Sequence, residues 1–346
     1  MKDYQNRFPY KQMARPAAKA GMFLLTFAAL AAFSQNQPGP QETAKEAIRV
    51  NVNVVTVLFN VKDKRGALIP GLKKEDFELY EDNVGQTIKY FATENDLPLT
   101  LGILVDTSGS QEQVLGMEKE AGAEFLKDVL RPKDLAFLVD FSVDVQLDQD
   151  FTNSQKYLKQ ALDQLRINTG GHSVSLPPGA GGDPIPISNP KGTLLFDAVY
   201  LAANEKLKRE VGRKALILLT DGQDYGSRIK PKGAIEAALK SDAIVYVILI
   251  ADRGFYGIGG YFGESDMKKL TQETGGRVIE VGNDFRKLKE AFDQISEELR
   301  HQYYVGYTPT NNEPDGNYRK IDIKVKESTL KDAKIQARRG YYAPRR

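Results

Sequence analysis

Between Leu97 and Leu299, short apolar runs alternate with amphipathic stretches of helical period, and this alternation constrains the fold more than any other feature of the chain. The runs Leu99 to Val105, Leu135 to Phe141, Val145 to Leu147, Ala215 to Leu219, Ala243 to Ile250 and Arg277 to Glu280 read as strands. Between them, three groups of apolar residues recur at three-four spacing and read as helix faces turned to a core: Val114, Met117, Ala121 and Phe125; Leu158, Ala161, Leu162 and Leu165; and Phe285, Leu288, Phe292, Ile295 and Leu299. Apolar strands joined through helices make an open, mostly parallel sheet with helices on both faces, an α/β fold.

Both flanks have the two-residue period of strands instead. Ile48, Val50, Val52 and Val54 alternate with polar residues, then Val55, Val57, Phe59 and Val61 continue on the opposite parity, which predicts one strand with a bulge near Val54. Lys64-Arg65-Gly66 and Asp82-Asn83 read as turns, with strands over Phe77 to Tyr80 and Thr87 to Phe91. Beyond His301, strands are expected over Tyr303 to Tyr307, Tyr318 to Val325 and Ala333 to Ala337, separated by the turn-rich stretch 311–317. Neither flank can bury a sheet alone, so 47–96 and 302–346 are expected to be two halves of one β module, with the α/β domain, 97–301, inserted between them.

The N-terminus is different again. Residues 1–34 carry Lys2, Arg7, Lys11, Arg15 and Lys19 against Asp3, then an apolar stretch from Gly21 to Phe33 with small residues at Ala32 and Ser34. This is the build of a signal peptide cleaved before Gln35, a retained anchor or buried helix being the alternative, and the stretch is short for a bilayer span. Residues 35–46 read as a linker. The expected mature chain is exported, periplasmic or extracellular, with no membrane span after cleavage. The whole chain carries a formal net charge of +2, and without the basic leader about −2, which argues against nucleic acid as a partner.

In an open parallel sheet, ligands bind beyond the carboxyl ends of the strands. Two of those ends carry Asp106-Thr107-Ser108-Gly109-Ser110 and Thr220-Asp221-Gly222-Gln223-Asp224, and Lys191-Gly192-Thr193 lies between them in sequence. The chain has no cysteine, and its two histidines are His172 and His301, so thiolate, iron–sulfur and multi-histidine sites lack parts. Asp106, Ser108, Ser110, Thr193 and Asp221 instead offer an all-oxygen, low-charge site suited to Mg²⁺ or Mn²⁺. Taken singly, the hydroxyls read as helix caps and Asp221-Gly222 as a turn. Their joint occurrence at three strand-to-helix junctions favours the metal. Few formal charges would surround such a cation, leaving it electrophilic towards a carboxylate of another molecule.

Asp106-x-Ser108-x-Ser110, then Thr193, then Asp221-Gly222 resembles the metal-ion-dependent adhesion site of von Willebrand factor type A domains, over about residues 97–301. Leu72-Lys73-Lys74-Glu75-Asp76-Phe77, Tyr80-Glu81-Asp82 and Ala337-Arg338-Arg339-Gly340-Tyr341 are similar to segments of the exported von Willebrand factor type A-related proteins of acidobacteria and other bacteria. The resemblance implies a Rossmann-like sheet, with Ser108, Ser110 and Thr193 approaching the metal directly and Asp106 and Asp221 acting largely through water. It implies a protein-binding module rather than an enzyme, whose partner is a protein offering an Asp or Glu carboxylate. The long Gly- and Pro-rich stretch 168–192 departs from the family. Two alternatives stay open: a metal-dependent hydrolase, with Asp106 as nucleophile or the metal as Lewis acid, and a structural envelope protein with a vestigial site.

Other signals are weaker. Gly257-Ile258-Gly259-Gly260-Tyr261-Phe262-Gly263 is a loosened dinucleotide fingerprint whose spacing is wrong and whose aromatics would crowd a pyrophosphate, so it reads as a loop beside the metal site. His172 reads as a solvated loop residue, and His301 as a structural residue at a helix end.

Overall fold

The computed structural model describes residues 54–93, 97–168, 192–250, 263–326, 330 and 332–345. The expected leader and linker, the bulge near Val54, His172 with most of the 168–192 insertion, and the glycine-rich loop up to Phe262 lie outside the described residues.

The alternation after Val54 becomes β1 (Val55–Lys62), which buries Val55, Val57, Phe59 and Val61. β2 (Phe77–Glu81) and β3 (Val84–Gln86) form a hairpin about Asp82 and Asn83, whose φ values of 47° and 67° are the left-handed pair that a tight hairpin requires and that Asp and Asn tolerate. The next strand, β4 (Tyr90–Thr93), starts three residues later than Thr87. Residues 87–89 carry the chain from the sheet of β3 to that of β4, with Ile88 buried between the two.

The α/β part follows in chain order as β5 (Leu99–Asp106), α1 (Leu115–Val129), β6 (Leu135–Phe141), β7 (Val145–Thr152), α2 (Gln155–Gln164), α3 (Leu195–Leu201), β8 (Arg213–Thr220), α4 (Pro231–Lys240), β9 (Ala243–Leu249), α5 (Glu264–Thr274), β10 (Val278–Glu280) and α6 (Phe285–Arg300). Its six strands lie in the order β10-β9-β8-β5-β6-β7, parallel except for β7. Only a short turn joins β6 to β7, so β7 must run antiparallel, and at the sheet edge it extends through polar residues well past Leu147. β5 is buried along its whole length. Leu101, Ile103 and Val105 face the helix layer of α1, α2 and α6, while Leu104 faces that of α3, α4 and α5. Gly102 is glycine because a Cβ there would meet Phe137 at 2.4 Å and Leu216 at 2.6 Å, two side chains that close over the strand.

After α6 come β11 (Tyr303–Tyr307), β12 (Tyr318–Val325), β13 (Lys334–Ala337) and a strand the periodicity did not signal, β14 (Gly340–Tyr342). N- and C-terminal strands interleave in two sheets, β13-β1-β11-β4 and β14-β12-β2-β3, which enclose a common core including Phe59, Phe77, Tyr303 and Ile323. Inside the module, Tyr307 and Tyr341 donate to Glu81 Oε2 at 2.7 and 2.9 Å, and Arg319 lies 3.6 Å from the same carboxylate. Two residues separate α6 from β11. Glu298, buried at the end of α6, accepts from Lys62 of β1 at 2.8 Å, Arg277 at 2.7 Å and Gln336 of β13 at 2.9 Å, which ties the module to the helix.

Because β11 lies between β1 and β4, removal of residues 302–346 should unfold 54–93 while much of the α/β domain persists. Limited proteolysis of the truncated protein should cut 54–93 rapidly. Unchanged resistance there would show that the N-terminal strands stand alone.

Candidate metal site at the sheet switch point

β6 pairs with one side of β5 and β8 with the other, so the chain reverses its direction across the sheet between β5 and β8. A crevice opens beyond the carboxyl ends at such a reversal. The register pairs Val105 with Leu219, which sets Asp106 beside Thr220 and brings the loop of Asp221 over the loop of Ser108 and Ser110.

Each loop is held by its own backbone and by its neighbours. Asp106 Oδ1 accepts from the Ser108 N–H at 3.0 Å, and its Oδ2 accepts from Thr220 Oγ1 at 2.7 Å. Thr220 Oγ1 in turn accepts from the Gly222 N–H at 2.9 Å. Ser110 Oγ donates to Asp221 Oδ2 at 2.7 Å and lies 3.1 Å from Ser108 Oγ. The first loop is pinned to β6 through the Thr107 N–H on the Phe141 carbonyl and Thr107 Oγ1 on Asp140 Oδ2 at 2.8 Å. Thr193 makes two backbone hydrogen bonds with Tyr225, both 2.9 Å, so the second loop is laced to the third. Gly263 ends the stretch outside the described residues and touches the third loop, where a Cβ would lie 1.7 Å from the Gly222 carbonyl.

Of the five residues expected from the sequence, Asp106, Ser108, Ser110 and Asp221 join one hydrogen-bonded network. Thr193 lies on the adjoining loop, nearly buried, and among the described residues no hydrogen bond joins its hydroxyl to the other four. Neither Ser108 nor Thr193 caps a helix with its side chain, and the Ser110 hydroxyl is turned to Asp221. Asp224, not Thr193, accepts the Phe196 N–H at the start of α3, at 3.3 Å.

The electrostatics of the site are unusual. Asp106 is fully buried, and burial followed by the charge of Asp221 pushes its carboxyl up to about 7, against the opposing effect of hydrogen bonds from Ser108 and Thr220. Glu118, on α1, is also buried, and among the described residues neither of its carboxyl oxygens has a hydrogen-bond partner. Burial, then Asp106 and Asp221, hold it well above the usual carboxylate range. Beside the first loop, burial and then Asp140 push Asp148 up to about 7. The charges that act on Asp106 and Glu118 are thus those of other acids, in a low-dielectric crevice that also holds two serine hydroxyls. That is the chemistry of a site for a hard divalent cation, and the residues present fit one. Among the described residues no cluster of three or more His, Cys, Asp or Glu is placed to hold a metal, so hydroxyls must supply part of any ligand set.

Two contributors escaped the sequence reading. Glu118 was signalled, since it falls between Val114 and Ala121 on an otherwise apolar helix face. Thr220 had no signal beyond its position before Asp221, because its role depends on the register with β5.

No family model matches the chain, and no curated protein matches it. Among solved structures, the conserved hypothetical protein BatB from Bacteroides thetaiotaomicron is similar at 17% identity over 58% of this chain and 99% of that one, with a TM-score of 0.44. A von Willebrand factor type A protein from Catenulispora acidiphila shares 14% identity over 86% of this chain and 75% of that one, also at 0.44. The proximal thread matrix protein 1 from the mussel byssus, with a zinc-occupied MIDAS motif, shares 16% over 63% of this chain and about half (49%) of that one, at 0.45. At these identities and scores the matches carry no argument about function. The sheet, its two helix layers and the three loops at its carboxyl end are themselves what the resemblance to von Willebrand factor type A domains implies.

In the unfolded chain a carboxyl gives up its proton near pH 4, whereas Asp106 and Asp148 keep theirs to about 7. Between those values the unfolded state binds fewer protons, so these groups make the metal-free protein less stable as pH rises from about 4 to about 7. Urea midpoints at pH 5 and pH 8 should therefore diverge less in Asp106→Asn than in the wild type. An equal or larger divergence in the variant would contradict the assignment.

Proposed function

We propose that the chain is an exported, divalent-metal-dependent binding module that captures an Asp or Glu carboxylate of a partner protein at a Mg²⁺ site, with Mn²⁺ able to substitute. The observation that carries this reading is the convergence of Ser108, Ser110 and Asp221 within hydrogen-bond distance at the switch point, beside the buried Asp106. Ser108, Ser110 and Thr193 would hold the cation directly. Asp106 and Asp221 would act largely through water, a role consistent with the hydrogen bonds that already engage oxygens of both carboxylates. When bound, the cation supplies a Lewis-acidic position, and the low formal charge around it favours an outside carboxylate as its last ligand.

The chain's own residues serve to position. Thr220 orients the Asp106 carboxylate, the Ser108 N–H steadies its other oxygen, and the Thr193–Tyr225 ladder sets the distance between the second and third loops. Export rests on the leader in residues 1–34, whose apolar stretch is short for a span. Among the described residues no helix is long and apolar enough to cross a membrane.

Titration calorimetry with Mg²⁺ and Mn²⁺ should show one site in the wild type and none in Asp106→Ala. Thr220→Val, which keeps the shape but removes the hydrogen bond to Asp106, should weaken binding roughly 10- to 100-fold. A flat wild-type trace at millimolar metal, also in the presence of a carboxylate-bearing partner, would refute the proposal. Phosphatase or esterase turnover that disappears in Asp106→Ala would replace it with the hydrolase.

A further inference from the structure

The hairpin of β6 and β7 carries an irregularity that the metal site does not use. Val139 pairs with Leu147 and Leu138 with Gln149, so Asp148 is the extra residue of a β-bulge. β7 lies at the sheet edge, with β6 as its one neighbour in the sheet. Asp148 Oδ1 accepts from the Gln146 amide at 3.2 Å. Its Oδ2 is buried and has no hydrogen-bond donor among the described residues. The Asp148 carboxyl instead makes a side-chain hydrogen bond with a second carboxyl, that of Asp140 on β6.

Two carboxylates offer only acceptors, so a bond between them requires a proton. Asp140 is 9% exposed, and its Oδ2 accepts from Thr107 Oγ1 at 2.8 Å, which joins the pair to the first metal loop. Among the described residues no base is paired with either acid. Asp144, in the turn, adds a third negative charge that acts on Asp140, and it accepts from the Asn168 amide at 2.9 Å. On α2, which packs against both strands, Lys156 is exposed and Lys159 is paired with Asp163 at 2.7 Å. Arg166 donates to the Asp163 and Leu165 carbonyls, and Lys206, which reaches β7, is paired with Asp150.

We propose that Asp140 and Asp148 share one proton and act as a pH-sensitive latch that fastens the edge strand β7 to β6 beside the first metal loop. With the proton in place the pair carries one negative charge, and an O–H···O bond closes the bulge. When the proton leaves to solvent, two adjacent negative charges remain and repel. Asp148, on the edge strand, is the side that yields, while Asp140 keeps Thr107. In the unfolded chain both carboxyls lose their protons near pH 4, whereas Asp148 in the folded pair keeps its proton to about 7. The stability that the latch contributes is therefore complete below about pH 4 and is lost as pH rises through about 7. Neither acid is among the residues proposed to hold the cation, so the latch does not require it.

Hydrogen exchange by the β7 amides of the full chain in EDTA, corrected for intrinsic exchange chemistry and compared at pH 5 and pH 8, tests the latch. Wild-type β7 should open more at pH 8, by roughly tenfold for one pH unit above proton release. Asp148→Asn places a neutral N–H donor where the shared proton lies, so its β7 should be equally protected at both pH values. Asp140→Asn, whose amide accepts from Thr107 and donates to Asp148, should do the same. Asp106→Asn should keep the wild-type difference, since that residue lies outside the pair. No pH difference in the wild type, an undiminished difference in either variant of the pair, or its loss in Asp106→Asn would each overturn the proposal.

Discussion

The parallel pairing of β5 with β8 is the constraint on which the candidate site depends. Seven residues of register, from Leu99 against Arg213 to Val105 against Leu219, deliver Asp106 and Thr220 to the same level at the carboxyl edge. Neither strand could shift by one residue without turning its apolar side chains away from the helix layers they now fill. Core packing therefore sets the position of the polar site at the carboxyl ends of these strands. The Thr220 hydroxyl on Asp106 is the visible result, and the Asp221 loop follows from it.

Acidic groups have been gathered where burial disfavours their charge. Asp106 and Glu118 are buried among like charges, and among the described residues Glu118 has no hydrogen-bond partner for either oxygen. In the metal-free protein such an arrangement is stabilised by protonation, and it is a liability at neutral pH. A cation in the crevice reverses that balance, because the field that penalises a carboxylate beside a carboxylate rewards it beside Mg²⁺. The β module has a related design, with Glu81 and Arg319 buried together under two tyrosine hydroxyls. There the opposite charge is supplied by the chain itself.

Much of this was legible in the residues. The central strands are signalled by apolar runs because both of their faces are covered, and the helix faces by three-four spacing, so both periodicities report burial directly. Asp82-Asn83 announced its hairpin through the one local property that Asp and Asn bring to a turn. The antiparallel course of β7 follows from the three residues between it and β6, a spacing the sequence contains, whereas the existence of β14 was not legible, since it depends on its partner β12. Thr220 illustrates the same limit in the site, since it acts through strand register, whereas Glu118 was signalled by its place on an otherwise apolar helix face.

The central claim is that a divalent cation occupies the crevice among Asp106, Ser108, Ser110, Thr193 and Asp221. Anomalous diffraction from crystals of the protein grown or soaked with Mn²⁺ tests it most directly. The account predicts one strong peak in that crevice, within about 2.0–2.3 Å of the Ser108 and Ser110 hydroxyls, and absent from Asp106→Ala crystals. A peak at another acidic position, or none in the crevice at saturating Mn²⁺, would contradict it.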